Sequence, residues 1–175
     1  YVYLETLGGG MGGRATKDGK DGVQVNITNT SNLPVEAIEM EYPLRVEDYA
    51  LIEDSGGAGT HRGGMGIRRS IRPVGHMCEF NGVGERFRHQ PWGIFGGTSG
   101  AQGAFHIETH DVEKVSLTSK ASRVKLWPEN IVVISTPGAG GYGTPKNRTK
   151  DALRQDLASG KFTEDFLNKH YKNNT

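Results

Sequence analysis

The stretch Asp54-Ser55-Gly56-Gly57-Ala58-Gly59-Thr60-His61-Arg62-Gly63-Gly64-Met65-Gly66 places six glycines in the eleven positions 56–66. Strand-like residues flank it, Tyr49 to Ile52 before and Ile67 to Ile71 after. Glycine loses more backbone freedom on folding than any other residue. So dense a cluster is therefore costly unless the backbone turns through positive φ or passes very close to something. Two readings meet that condition: a bulged hairpin in a crowded β-domain, or a backbone loop shaped to meet a ligand or partner. The loop also carries groups with chemistry of their own, Asp54 at its head and the pair His61-Arg62 in its middle.

Glycine is abundant along the whole chain, 26 of 175 residues, roughly twice average usage. No collagen period accompanies it, so the expectation is many turns and loops between short apolar segments. Those segments alternate or cluster as strands do. They are Tyr1–Leu7, Val23–Thr28, Leu44–Ile52, Ile67–Val74, His76–Phe80, Lys114–Thr118, Arg123–Leu126 and Ile131–Thr136. Val35 to Tyr42 is ambiguous. Ile38, Met40 and Tyr42 alternate, which favours a strand, although the Glu and Ala content suits a helix. Asn81-Gly82 reads as a hairpin turn. Arg68, Arg69 and Arg72 read as a solvated strand face, and Trp92 and Phe95 as a core anchor among packing glycines. Near the end Thr149 caps a helix carrying Leu153 and Leu157 and closed by Gly160, and Thr163 caps another. The expected fold is mainly β, an antiparallel sandwich or distorted barrel with glycine-rich loops, followed by two short C-terminal α-helices. Residues 1–146 form the β-domain and 147–175 the two-helix tail.

Several chemistries are excluded on spacing. Gly8, Gly10 and Gly13 match a dinucleotide-binding pattern, as do Gly138, Gly140 and Gly143. That pattern needs a helix opening at the loop to bind a pyrophosphate, and polar turn residues or Pro145 follow instead. No Gly-Lys-Ser/Thr follows either. His106 and His110 flank Glu108, but no further ligand set of metal-binding spacing follows. The formal net charge of +1 comes without a basic stripe, which argues against nucleic acid. No run reaches membrane-spanning length, and no signal peptide is visible. The single cysteine, Cys78, cannot form an internal disulfide and fits a reducing, cytoplasmic setting; in an apolar strand its role is packing. Asn26-Ile27-Thr28 matches a glycosylation sequon without a secretory signal to support its use. The chain begins at Tyr1 inside a strand-like segment, as a piece of something longer would.

Read as an ordered set, these segments resemble the hydantoinase B / 5-oxoprolinase family. The segments are Leu4-Glu5-Thr6-Leu7-Gly8-Gly9-Gly10-Met11-Gly12-Gly13-Arg14, Asn29-Thr30 with Pro34-Val35-Glu36-Ala37, and Glu41-Tyr42-Pro43-Leu44. Then come Asp54 to Gly59 with Arg62 to Gly66, Pro91-Trp92-Gly93-Ile94-Phe95-Gly96-Gly97, Ser119-Lys120 and Thr136 to Gly143. The resemblance covers nearly the whole chain and matches only the C-terminal part of a B-type subunit. It implies an ATP-dependent hydrolase of cyclic amides such as hydantoins or 5-oxoproline. A hydantoinase A-type subunit binds ATP and phosphorylates the substrate oxygen, which turns a poor electrophile into one with a good leaving group. It also implies a divalent metal held by the N-terminal part of the B-type subunit. Relatives in the family carboxylate ketones, as acetone and acetophenone carboxylases do, so a carboxylase subunit is one alternative and a non-catalytic assembly module another. Within this chain the candidate site residues are Arg14, Asp54, His61 and Arg62. An arginine pairs bidentately with phosphate or carboxylate, and an acid beside glycine amides orients a donor.

Overall fold

The computed structural model of the chain describes residues 1–25, 27–109 and 114–172. Strands β1 (Leu44–Leu51), β2 (Ile67–Pro73), β3 (Cys78–Val83), β4 (Ala104–Glu108), β5 (Lys114–Leu117), β6 (Lys120–Leu126) and β7 (Ile131–Ser135) build two antiparallel sheets. One is five-stranded in the order β1-β2-β7-β4-β5, and the other pairs β3 with β6. Ile71, Ile107 and Val132 from the first meet Leu126 from the second in one buried cluster, with Phe80, Cys78 and Val124 against it. Burial pushes the Cys78 thiol up in pKa, which keeps it protonated and in a packing role. The architecture is mainly β, as expected, and neither sheet closes into a barrel.

Several segments depart from the sequence expectation. Val35–Glu41 is a helix, α1, not a strand. Its pattern is set by Ile38, which is fully buried, while Met40 is exposed, so the apparent alternation was incidental. The helix stops at Tyr42, which is extended, because Pro43 disfavours the α region for the residue before it. Tyr1–Leu7 joins no sheet, and among the described residues of 23–28 the pairing is limited to a bridge between Val23 and Gly9. Asn81-Gly82 lies inside β3, where the register against β6 shifts. Gly82 is needed there because a Cβ would lie 2.6 Å from the Phe80 ring and 2.8 Å from that of Phe105. Arg69 is completely buried rather than solvated. Its Nη1 donates at 2.8 Å to both carboxylate oxygens of Glu5, which ties the N-terminal segment to β2 by a side chain instead of a ladder. Arg68 and Arg72 stay at the surface beside Asp48 and Glu47.

The glycine-rich segments form no sheet at all. Along Gly138–Tyr142 the amides of Gly138 and Gly141 donate to Ala101 and Thr98, while those of Ala139 and Tyr142 donate to Gly64 and His61. Thr98 and Ala101 in turn donate to Ala58 and Ser55. Partners therefore change along the chain and return after three residues. That is the three-residue repeat of polyproline II-like backbone, not the two-residue repeat of a strand. Each segment can be surrounded on several sides, and backbone packs on backbone. A Cβ on Gly63 would lie 1.8 Å from the Ala139 carbonyl oxygen, and one on Gly138 would lie 1.8 Å from that of Ser55.

The C-terminal helices α2 (Lys150–Ala158) and α3 (Glu164–His170) form as their sequence signals require. The Thr149 and Thr163 hydroxyls accept from the amides of Ala152 and Phe166, and Gly160 sits at φ +64°. The helices close not over the sheet but over the central glycine loop. Leu153, Phe162, Leu167 and Tyr171 bury Ala58 and Met65 in a second core cluster. Tyr171 accepts at 3.1 Å from the Gly59 amide through its hydroxyl, and burial pushes that phenol up to about 12. No helix among the described residues is long and apolar enough to cross a membrane.

Candidate functional site

The bundle holds a buried chain of charges. Arg62 clamps Asp21 with two donors, Nη1 to Oδ1 at 2.7 Å and Nη2 to Oδ2 at 3.2 Å. Arg148 clamps Asp18 in the same way, at 2.7 and 2.8 Å. Asp156, on the inner face of α2, joins the two clamps by accepting Arg62 Nε at 3.1 Å on Oδ1 and Arg148 Nε at 2.9 Å on Oδ2. Fork-to-carboxylate pairing of this kind is the strong, directional form of ion pair. The acids also fix the backbone, Asp18 accepting from the Arg62 amide and Asp21 from the Met65 amide, each at 2.9 Å. Three regions of the sequence are thereby locked together: the turn at residues 18–21, the central loop, and the tail. Burial works to raise the Asp18 pKa, but the bonded Arg148 guanidinium outweighs it and holds the carboxyl below the ordinary value. Burial alone would lower Arg62, yet Asp21 and its neighbours keep its pKa above normal.

The four candidate residues divide accordingly. Arg62 is fully committed inside this network. Asp54 sits at φ +60° and accepts from the Thr163 amide at 2.8 Å and from the Thr163 hydroxyl at 2.7 Å, so it anchors the start of α3. His61 and Arg14 lie together at one end of the bundle. His61 is about a quarter exposed, with Nδ1 3.7 Å from Asp18 Oδ1, and its backbone pairs with Tyr142. Arg14 follows Gly13, where a Cβ would lie only 2.5 Å from the His61 carbonyl oxygen. Its Nη2 donates to the Asp18 carbonyl at 3.0 Å, while its Nε is buried without a hydrogen-bond partner. An imidazole set beside a carboxylate is the pairing by which an acid orients a general base.

Sequence reasoning missed Asp18, Asp21, Arg148 and Asp156. One signal was available for Asp156: it lies three residues after Leu153, on the same helix face, where a carboxylate is out of place unless paired.

Among the described residues no three His, Cys, Asp or Glu groups are grouped to hold a metal ion, and the carboxylates of Asp18, Asp21 and Asp156 are bonded to arginines. His106 and Glu108 share a face of β4 and pair with each other at 3.1 Å; His110 lies outside the described residues. A nucleotide phosphate does not fit the glycine segments, since many of their amides are bonded to neighbouring carbonyls.

The family model described as hydantoinase B/oxoprolinase matches residues 1–145. The chain belongs to the hydantoinase B/oxoprolinase family. It is 43% identical over 172 residues to an uncharacterized protein of Methanocaldococcus jannaschii, covering 98% of this chain and 30% of that one. It is 39% identical over 147 residues to 5-oxoprolinase 1 of Arabidopsis thaliana, covering 82% of this chain and 11% of that protein. In fold it is similar to the ATP-dependent caprolactamase from Pseudomonas jessenii, with a TM-score of 0.80 at 24% identity, over 97% of this chain and 30% of that one. The chain thus spans less than a third of the length of these family members.

Proposed function

We propose that this chain is the C-terminal portion of the B-type subunit of an ATP-dependent cyclic-amide hydrolase, acting with an ATP-binding A-type subunit that phosphorylates the substrate. The family match across residues 1–145 carries this reading. The names 5-oxoprolinase and caprolactamase subunit beta among its sequence relatives favour ring amides over ketones as the substrate class. The divalent metal belongs to polypeptide beyond this chain.

In this reading the charged network and the tail hold the glycine bundle rigid, and Arg14 and His61 are the residues that meet substrate. The Arg14 guanidinium pairs with the phosphoryl group carried by the activated substrate, a role suited to its fork of donors. His61, with Asp18 fixed behind it by Arg148, accepts the proton of an attacking water as a general base. Asp54 and Arg62 act on the fold.

The test is turnover by the assembled enzyme. The complete B-type subunit with its A-type partner is incubated with ATP and 5-oxoproline, hydantoin or caprolactam. Ring opening coupled to ATP hydrolysis supports the proposal. Bicarbonate-dependent consumption of a ketone, with no ring opening, replaces it with the carboxylase. Assembly without either activity leaves a module that only holds the complex together.

A further inference from the structure

Trp92, Ile94 and Phe95 have the side chains of a core, yet they are 65%, 44% and 75% exposed. The backbone beneath them explains why they cannot turn inward. Ile94 donates to the Gly141 carbonyl and Gly143 donates back to Ile94, each at 3.0 Å. A Cβ on Gly97 would lie 2.2 Å from the Gly141 carbonyl oxygen, and one on Gly140 would lie 1.9 Å from that of Trp92. The loop rests directly on the glycine segment at residues 140–143, and its side chains point outward.

The loop is held in that display at some conformational cost. The Gly97 amide closes a turn onto the Ile94 carbonyl at 3.0 Å, with Phe95 at φ +51° and Gly96 at φ +91°. A bulky residue in this region is an outlier, kept only where the surroundings over-determine it, and such outliers gather at functional surfaces. Arg86, also at positive φ (+60°), lays its guanidinium 4.8 Å from the Trp92 ring. The Phe95 ring is 5.1 Å from that of Tyr142. Trp, Tyr and Arg fixed in place before binding are the residue types that dominate interface energetics.

We propose that this aromatic ridge seats the part of the B-type polypeptide that lies outside this chain. The inference rests on the reading of the chain as a portion of that subunit. Two observations support this occupant. The ridge is apolar, the composition of a permanent contact rather than an exchanging one. More than two thirds of the polypeptide of the relatives of subunit length lies outside the matched region. The ridge also adjoins His61, whose amide donates to the Tyr142 carbonyl at 3.0 Å. A cover on the ridge therefore lies next to the His61–Asp18 pair that the proposed function sets against the substrate.

Hydroxyl-radical footprinting of the unmodified, full-length B-type subunit tests this, first alone and then with the ATP-binding subunit. Trp127, about half exposed, is the internal reference. The proposal expects Trp92 to be oxidised about fivefold or more slowly than Trp127 in the B-type subunit alone, as for an anchor from which water is excluded. Equal oxidation of the two in both samples overturns it, leaving a free surface. Protection of Trp92 only after the ATP-binding subunit is added also overturns it, and assigns the ridge to that subunit. The readout needs no substrate, so a protected Trp92 in an enzyme that opens no cyclic amide would uphold the docking and reject the activity.

Discussion

Replacing Asp156 by alanine removes the carboxylate shared by both buried arginines. The Arg62, Arg148 and Asp156 side chains are no more than 5% exposed, so water cannot replace the lost acceptor. Breaking a buried pair by deleting one partner costs about 3–5 kcal/mol. Each guanidinium keeps a second carboxylate, Asp21 for Arg62 and Asp18 for Arg148, which places the loss near the lower end, about 3 kcal/mol. In a chain of this size each kcal/mol moves Tm by about 2–4 °C, so Asp156→Ala lowers Tm by about 6–12 °C. Differential scanning calorimetry of wild type and variant reads this directly. Arg154→Ala on the same helix is the control. Its ion pair with Asp151 lies at the surface, where such pairs contribute little, and the shift stays under about 0.5 kcal/mol. An Asp156→Ala loss no larger than that of Arg154→Ala would refute the view that the charged chain fastens the tail to the glycine loop.

The glycine bundle gives a sharper contrast. Gly63→Ala puts a methyl against the Ala139 carbonyl and should yield no folded protein. Gly160→Ala meets nothing within 4 Å and only the strain of φ +64°, about 1 kcal/mol; soluble yield and Tm of the two variants check this. Asp18 is held below the ordinary aspartate value of 3.8. Its contribution to stability is complete above that value and disappears as pH falls through its lower folded value. Denaturation followed from pH 7 downward should show that loss in wild type and less of it in Asp18→Asn. Tyr171→Phe removes the hydroxyl that satisfies the buried Gly59 amide and should cost about 1–3 kcal/mol in urea denaturation.

What could be read from the sequence was local. Thr149 and Thr163 each precede a helix and cap it, because a hydroxyl at that position meets free amides whatever the tertiary context. The strand at Ile131–Ser135 follows from a run of β-branched residues. Val35–Glu41 was misread because a seven-residue helix with one buried side chain leaves almost no periodic signal. The glycine stretches were legible as close approaches, but not as a three-residue packing, since glycine carries no side-chain pattern from which a repeat could be read. Trp92 and Phe95 were read as a core anchor, and both are instead exposed. The charged network was hidden for a different reason. Its members stand at positions 18, 21, 62, 148 and 156, and Asp18, Asp21 and Arg148, each taken alone, read as turn or surface residues. Only the bundle brings Asp18 and Asp21 beside Arg62 and the tail.

In the proposed function the four candidate residues have separate tasks, Asp54 and Arg62 holding the fold and Arg14 and His61 meeting the substrate. The most direct test is Tm and kcat side by side for Arg14→Ala, Asp54→Ala, His61→Gln and Arg62→Ala in the complete enzyme. Asp54→Ala and Arg62→Ala should lower Tm, whereas Arg14→Ala and His61→Gln should keep Tm and subunit assembly but lower kcat by about a hundredfold or more, the scale expected of a lost general base. Full turnover in His61→Gln and Arg14→Ala, or unchanged Tm with lost turnover in Arg62→Ala, would contradict this division.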